Sequence, residues 1–169
     1  RAGGYARGSS AKQRGMDTPL PIALAADHGG FVLKETIRAH LDGRGILYRD
    51  FGSLDGGSCD YPDMALPACR AVVAGECRCA LLFCGTGVGI SIAANKIPGI
   101  RACCCSDAFS AEYTRRHNNA NALCLGGRVV GPGLAEMLVD LFLSTPFEGG
   151  RHQRRVDKLA ALDAARTGQ

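Results

Sequence analysis

Residues 81–91, LLFCGTGVGIS, place an apolar run directly before three glycines at alternate positions. The run is typical of a strand buried on both faces, because its apolar residues do not alternate with polar ones. Glycine at every second position suits neither a helix interior nor a strand, since glycine loses the most backbone entropy on ordering. The stretch therefore predicts a buried strand, a tight glycine turn and the start of a helix.

The same order of strand and helix recurs on both sides of this stretch. The apolar runs PIALAA, ILYRDF, CALLFC, IRACCC and ALCLGG are each followed by a segment with helical spacing or helix-forming composition, although Pro67 is a local difficulty in the second helix. Five strands alternating with helices predict a single α/β domain with a doubly wound, Rossmann-like parallel sheet and right-handed crossovers. The basic segment RHQRRVDKLAALDAA predicts a helical tail at the C-terminus.

Composition and charge are those of an ordinary globular protein. Hydrophobic residues make up 46% of the 169 positions and charged residues 21%, which is enough for one domain with its own core. A net charge of +4 is too small to argue for nucleic acid. Because no apolar stretch has membrane-spanning length and no signal peptide opens the chain, we expect a cytoplasmic protein.

The cysteines and the first twenty residues complete this outline. The cysteine count is nine, an odd number in a chain without a secretory signal, so we expect reduced thiols rather than disulfides. Residues 1–20 are rich in Gly, Ser, Arg and Lys and have no apolar period. They are predicted to be a mobile extension, or a remnant of cloning, ahead of a domain at residues 21–169.

The glycine turn is compatible with several kinds of ligand. A phosphate-binding P-loop requires Lys and then Ser or Thr after its last glycine, and neither is in place. A dinucleotide fingerprint requires glycine where Ile90 stands, although Asp107 lies at a fitting distance downstream. The remaining candidate is an oxyanion that forms during a reaction and is stabilised by backbone amides of the turn. The alternative without a ligand is a tight turn in which glycine only permits close packing.

Several chemically active side chains follow predicted strands. Cys84 adjoins the glycine turn, where the start of a helix favours a thiolate that serves as base or nucleophile; the alternative is an inert buried cysteine. Asp27 and His28 follow the first strand, and His117 lies in a dense polar cluster, RRHNNANA. We expect these residues to share one edge of the sheet with the glycine turn. The cysteines have no zinc spacing, so no metal site is predicted.

The basic tail offers a second candidate site. Arg151 and Arg155 are four residues apart on one face of the predicted helix, with His152 adjacent. The planar guanidinium group suits phosphate oxygens, but a solvated basic face is an equally good interpretation. Nucleic acid is disfavoured, because no aromatic residues are interleaved with the basic ones.

The chain contains, in this order, the motifs ADHGG, CDYPD, CGTGVGISIAANKIPGIRA, RRHNNANAL, LGGRVVG and FEGGRHQRRV. These motifs and their order resemble those of the type B ribose-5-phosphate isomerases. That family also includes isomerases of allose and galactose 6-phosphates. The resemblance covers about residues 21–160 and does not extend to the first twenty residues.

The resemblance implies isomerisation of ribose 5-phosphate to ribulose 5-phosphate through a cis-enediolate, without a metal or other cofactor. It also implies a homodimer or homotetramer with sites between subunits, so that His117 serves the neighbour's Cys84. Some relatives use a glutamate in place of this cysteine, but Ile90 here leaves Cys84 as the base. The rival interpretation is a nucleotide- or sugar-phosphate-binding module without catalytic activity. The implied roles are catalysis for Cys84, Thr86, His117 and Asp27; anion and sugar contacts for Gly85, Gly87, Gly89, Asp60, Tyr61 and Asn118; and phosphate binding for His28, Arg128, Arg151, His152 and Arg155.

Overall fold

The computed structural model describes residues 20–168. The predicted extension therefore lies, apart from Leu20, outside the described residues. The described part forms five strands and six helices, in the order β1 (Ile22–Ala26), α1 (Phe31–Gly43), β2 (Tyr48–Asp50), α2 (Tyr61–Val73), β3 (Ala80–Cys84), α3 (Val88–Ala94), β4 (Ala102–Cys104), α4 (Ala108–Asn118), β5 (Ala122–Gly126), α5 (Pro132–Ser144) and α6 (Arg151–Thr167). The alternation of strands and helices is the one that the sequence predicts.

All five strands pair in parallel, in the spatial order β2-β1-β3-β5-β4. This confirms the predicted α/β fold. The three central strands have five residues each and are buried along their whole length, whereas the edge strands β2 and β4 have three residues each. The second strand is shorter than its apolar run suggests, because it pairs on one side only, with β1.

The central strands present their residues alternately to two hydrophobic cores. One face packs against α1, α4 and α5, and its strand residues include Leu24, Phe83 and Leu125. The other face packs against α2 and α3 and includes Leu82, Cys84 and Cys124. Because helices cover both faces, the strands carry continuous apolar runs. Cys84 thus ends its strand on the side of α2 and α3.

Two helices have features that the sequence leaves unresolved. Pro67 lies inside α2 on its exposed side, and Asp63, whose carbonyl loses its intrahelical hydrogen bond to a proline at this position, is also an exposed residue. The C-terminal helix α6 is present as predicted but buries only His152 and Val156. Within residues 20–168, no helix is both long and apolar enough to cross a membrane.

Candidate active site

The ends of β1 and β3 flank a crevice where the chain reverses its direction across the sheet. The chain passes from β1 outward to β2 and then to β3 on the far side of β1, and open α/β sheets bind ligands at such a point. The Asp27 amide donates to the Phe83 carbonyl at 3.1 Å, and the Arg128 amide donates to the Gly85 carbonyl at 3.0 Å. These bonds hold Asp27, Cys84 and Arg128 at one end of the sheet.

Cys84 has a hydrogen-bond donor aimed at its sulfur. Its side chain is only 4% exposed, and the Gly87 amide donates to Sγ at 3.1 Å. Gly87 has a φ of 79°, the left-handed conformation that glycine adopts readily and other residues rarely adopt. The turn therefore points a backbone N–H at the sulfur, which suits a side chain that carries negative charge during a reaction.

The glycines also permit close packing. A Cβ on Gly87 would lie 2.9 Å from the Cys104 sulfur and from the Leu125 backbone. A Cβ on Gly89 would lie 2.9 Å from the Tyr61 ring. Close packing, left open as an alternative by the sequence, therefore explains why neither position carries a side chain. Close packing does not exclude a ligand, because the same tight turn brings the Gly87 amide to the Cys84 sulfur.

Thr86 and Arg128 lie on the open side of this turn. Thr86 is exposed, and its hydroxyl accepts a hydrogen bond from the Val88 amide at 3.3 Å. Arg128 is also exposed, and its guanidinium group lies 3.3 Å from where a Cβ of Gly85 would be. A hydroxyl and a guanidinium group thus flank the turn on its solvent side, an arrangement that can bind an anion.

The loop before α2 brings further polar groups to the same end of the sheet. The Nδ1 atom of His28 lies 3.3 Å from the carbonyl oxygen and 3.5 Å from the amide nitrogen of Cys59. Asp60 and Tyr61 follow directly, and Asp60 is exposed and makes no capping hydrogen bond to α2. We call this assembly the cysteine group: Asp27, His28, Asp60, Tyr61, Cys84, Gly85, Thr86, Gly87, Gly89 and Arg128.

A second assembly forms where α4 ends and α6 begins. The rings of His117 and His152 stack with centroids 4.0 Å apart and planes 10° apart. The Tyr113 ring meets His117 edge-on, with centroids 4.9 Å apart. The Arg151 Nε donates to His152 Nε2 at 3.4 Å. Burial, and then the neighbouring His117, lower the pKa of His152 below its usual value, which favours its neutral form near pH 7.

Glu148 joins the two histidines and has no role in the sequence interpretation. Its Oε2 lies 3.9 Å from His117 Nε2 and 3.6 Å from His152 Nε2, while Arg116 Nε donates to its Oε1 at 2.6 Å. The hydrogen bond from Arg116 lowers the pKa of Glu148. We call this assembly the histidine group: His117, Asn118, Glu148, Arg151, His152 and Arg155. Glu148 lies inside the motif FEGG, but no local pattern shows that it faces two histidines.

The two groups lie at opposite ends of the sheet. Because α4 connects two parallel strands, it begins beside the carboxyl end of β4 and returns the chain to the amino end of β5. Arg101, which precedes β4, donates to the Asn118 carbonyl at 3.2 Å and marks that amino end. Within residues 20–168, no hydrogen bond, ion pair or ring contact joins the two groups. The expectation that His117 shares a sheet edge with the glycine turn is therefore wrong within one chain.

The other thiols are mostly buried in the cores. All nine cysteines are free, as predicted. Burial raises the pKa of seven of them, to about 12 for Cys69 and Cys105, which leaves these thiols protonated at neutral pH. The seven are Cys69, Cys77, Cys79, Cys103, Cys104, Cys105 and Cys124.

Comparisons with known proteins agree on the family. A family model described as Ribose/Galactose Isomerase matches residues 22–159. The chain is 50% identical to ribose-5-phosphate isomerase B of Escherichia coli over 145 residues, 86% of this chain and 97% of that protein. It superposes on ribose-5-phosphate isomerase B of Clostridium thermocellum with a TM-score of 0.85 and 47% identity, over 86% of this chain and 99% of that one.

A third relative was solved with a sugar phosphate. It is ribose-5-phosphate isomerase B of Mycoplasma genitalium with bound ribulose-5-phosphate, which gives a TM-score of 0.82 and 39% identity over 86% of this chain and 97% of that one. In each case the match extends over nearly the whole length of the known protein. The chain described here therefore belongs to the ribose/galactose isomerase family.

Proposed function

We propose that this protein interconverts ribose 5-phosphate and ribulose 5-phosphate through a cis-enediolate. The observation that carries the proposal is the buried Cys84 sulfur, which accepts a hydrogen bond from the Gly87 amide at the crevice between β1 and β3. Membership of the family and the likeness to ribose-5-phosphate isomerases over most of the chain support the choice of substrate.

Cys84 acts as the base in this proposal. Its thiolate takes a proton from the carbon next to the carbonyl and returns it to the former carbonyl carbon. The hydroxyl proton of the first of these carbons passes to the former carbonyl oxygen, so that no net proton is gained or lost. Negative charge develops meanwhile on the former carbonyl oxygen, and the Gly85 and Gly89 amides with the Thr86 hydroxyl are the donors assigned to it. The Gly87 amide, also assigned to the oxyanion by the resemblance, donates to the sulfur before substrate arrives.

The histidine group completes the site from a second copy of the chain. Opening of the furanose ring needs an acid or base at the ring oxygen, a role assigned to His117 together with Asp27. Because α4 separates His117 from Cys84 within one chain, each site takes its cysteine group from one subunit and its histidine group from another. We therefore propose a homodimer, or a homotetramer built from such pairs, with Asp60, Tyr61 and Asn118 contacting the sugar.

The phosphate is assigned to basic side chains from both groups. Arg128 and His28 belong to the cysteine group, and Arg151, His152 and Arg155 to the histidine group. Arg151 and Arg155 are both exposed and lie one helical turn apart on α6. Guanidinium groups bind phosphate oxygens in a bidentate manner. Two arginines on one helix face therefore suit the phosphate of a substrate that is bound to the cysteine group of the other subunit.

A direct assay tests the function. We expect the purified protein to convert ribose 5-phosphate to ribulose 5-phosphate and to act more slowly on allose 6-phosphate. Replacing Cys84→Ala should abolish turnover, while the affinity for a phosphate-bearing inhibitor stays within about threefold, since the phosphate contacts remain.

Cys69→Ala is the matched control, because Cys69 is equally buried but lies in α2 with a thiol that burial keeps protonated. It should retain most of the activity. If the wild-type protein binds ribose 5-phosphate without converting it, the protein is a sugar-phosphate-binding module and the proposal fails. If allose 6-phosphate is the faster substrate, the reaction type holds and the assignment of the five-carbon sugar fails.

A further inference from the structure

The histidine group contains three metal-ligating side chains that converge on one point. One ligand atom each from His117, Glu148 and His152 lies within 4.8 Å of the other two. Among residues 20–168, no other group of three or more His, Cys, Asp or Glu side chains comes this close. The carboxylate Oε2 faces both imidazoles, at 3.9 Å from His117 Nε2 and 3.6 Å from His152 Nε2.

These separations are close to those of a zinc site. Two ligands at tetrahedral positions around Zn²⁺ are about 3.3 Å apart, given metal–ligand distances of about 2.0–2.1 Å. To reach that spacing, the carboxylate oxygen moves about 0.3 Å towards His152 Nε2 and about 0.6 Å towards His117 Nε2. One imidazole also rotates out of the stack, because the two rings lie only 10° from parallel and a ring nitrogen binds a metal in the plane of its ring. We propose that His117, Glu148 and His152 form a binding site for Zn²⁺ or a similar transition-metal ion, with the fourth coordination position open to water. Two imidazoles and one carboxylate favour such ions over Mg²⁺ and Ca²⁺, which prefer oxygen ligands.

The neighbouring groups leave the ligand atoms available. Arg116 donates to Oε1 of Glu148, so Oε2 is the oxygen that faces the rings. His152 is only 7% exposed, and its Nε2 accepts just the long 3.4 Å hydrogen bond from Arg151, which lies at the limit of such bonds.

Metal at this site opposes the isomerase reaction. This consequence rests on the proposed function, because His117 is the side chain assigned to opening of the sugar ring. An imidazole bound to zinc cannot exchange a proton at the same nitrogen, and the same ion occupies His152, which is assigned to the phosphate. We therefore expect micromolar Zn²⁺ to inhibit the enzyme, Mg²⁺ to have no effect at the same concentration, and a chelator to restore activity.

The test measures metal affinity without substrate. Wild-type protein is titrated with Zn²⁺ in competition with a chromogenic chelator, and we expect one ion per chain at micromolar concentration or tighter. Glu148→Gln and His117→Gln should each weaken the affinity at least tenfold, since they remove a ligand outright and even outer-shell changes cost about 10- to 100-fold. Substituting Co²⁺ separates this site from the thiols, because thiolate ligands add a strong near-ultraviolet absorption band that nitrogen and oxygen ligands lack.

Glu112→Gln is the matched control. Glu112 also pairs with Arg116, at 3.0 Å, and is as exposed as Glu148, but it is not among the three converging side chains. It should leave zinc affinity unchanged. The proposal fails if wild type binds no zinc at these concentrations, if Glu148→Gln binds it as tightly as wild type, or if the Co²⁺ spectrum shows thiolate ligation. Because no outcome of the titration depends on turnover, a protein without isomerase activity would leave this test intact.

Discussion

Mixing two inactive variants, Cys84→Ala and His117→Ala, should restore isomerase activity. The 11 residues of α4 make the helix about 16 Å long, and it separates the sheet end that holds Cys84 from the end that holds His117. Proton transfer needs heavy atoms within about 3 Å of each other or one bridging water. One chain therefore cannot bring both side chains to the same sugar, whereas two chains related by a two-fold axis can.

The size of the recovery follows from the symmetry of the pair. In a mixed dimer, one site carries both lesions and the other carries neither, so each mixed dimer has one intact site out of two. Random exchange of equal amounts makes about half of the dimers mixed, and total activity should therefore reach about a quarter of the wild-type value. The assay is ribulose 5-phosphate formation after subunit exchange, with the exchange verified by mass spectrometry of a mass-tagged subunit.

A second mixture provides the control. Cys84→Ala combined with Thr86→Ala should stay inactive, because both lesions fall in the cysteine group and every site in the mixed dimer then carries one of them. If the first mixture recovers no activity despite proven exchange, both residues act within one chain and the argument from the direction of α4 is wrong. Equal recovery in both mixtures would also refute it.

Three further changes test the geometry of the site. Gly87→Ala should lower the free energy of unfolding, measured with denaturant, by about 2 kcal/mol or more. The left-handed backbone costs an alanine about 1–2 kcal/mol, and the added Cβ would lie 2.9 Å from the Leu125 backbone. Gly133→Ala is the control and should not lower the free energy of unfolding, because a Cβ there would meet nothing within 4 Å. Arg151→Ala and Arg155→Ala should raise KM at least about tenfold with smaller effects on kcat, and lysine should rescue poorly because it lacks the bidentate fork. Arg154→Ala is the control for loss of a positive charge on α6. An equal rise in KM for this variant would mean that the helix is only a basic surface and that Arg151 and Arg155 have no specific role. Prolonged treatment with a chelator should leave activity unchanged or higher, and activity that is lost and then restored by a divalent ion would contradict a metal-independent mechanism.

The local features of the chain could be predicted because neighbouring residues determine them. The apolar run at residues 80–84 indicates a strand that is buried on both faces, and Gly87 indicates a turn that other residues rarely adopt. The position of Cys84 at the end of that strand follows directly. The length of β2 was overestimated, because its apolar run does not reveal that it pairs with one neighbour only.

By itself, the sequence determined the number and type of the central elements, the parallel sheet they form and the place of Cys84 at a strand end, since these depend on periodicity and on backbone preferences within about ten residues. Only the tertiary structure decided the strand order β2-β1-β3-β5-β4, the contact of Glu148 with two histidines and the separation of His117 from Cys84. The order depends on which faces pack together across the whole domain. The separation depends on helix direction, since a helix between parallel strands carries its last residues to the end of the sheet opposite the crevice.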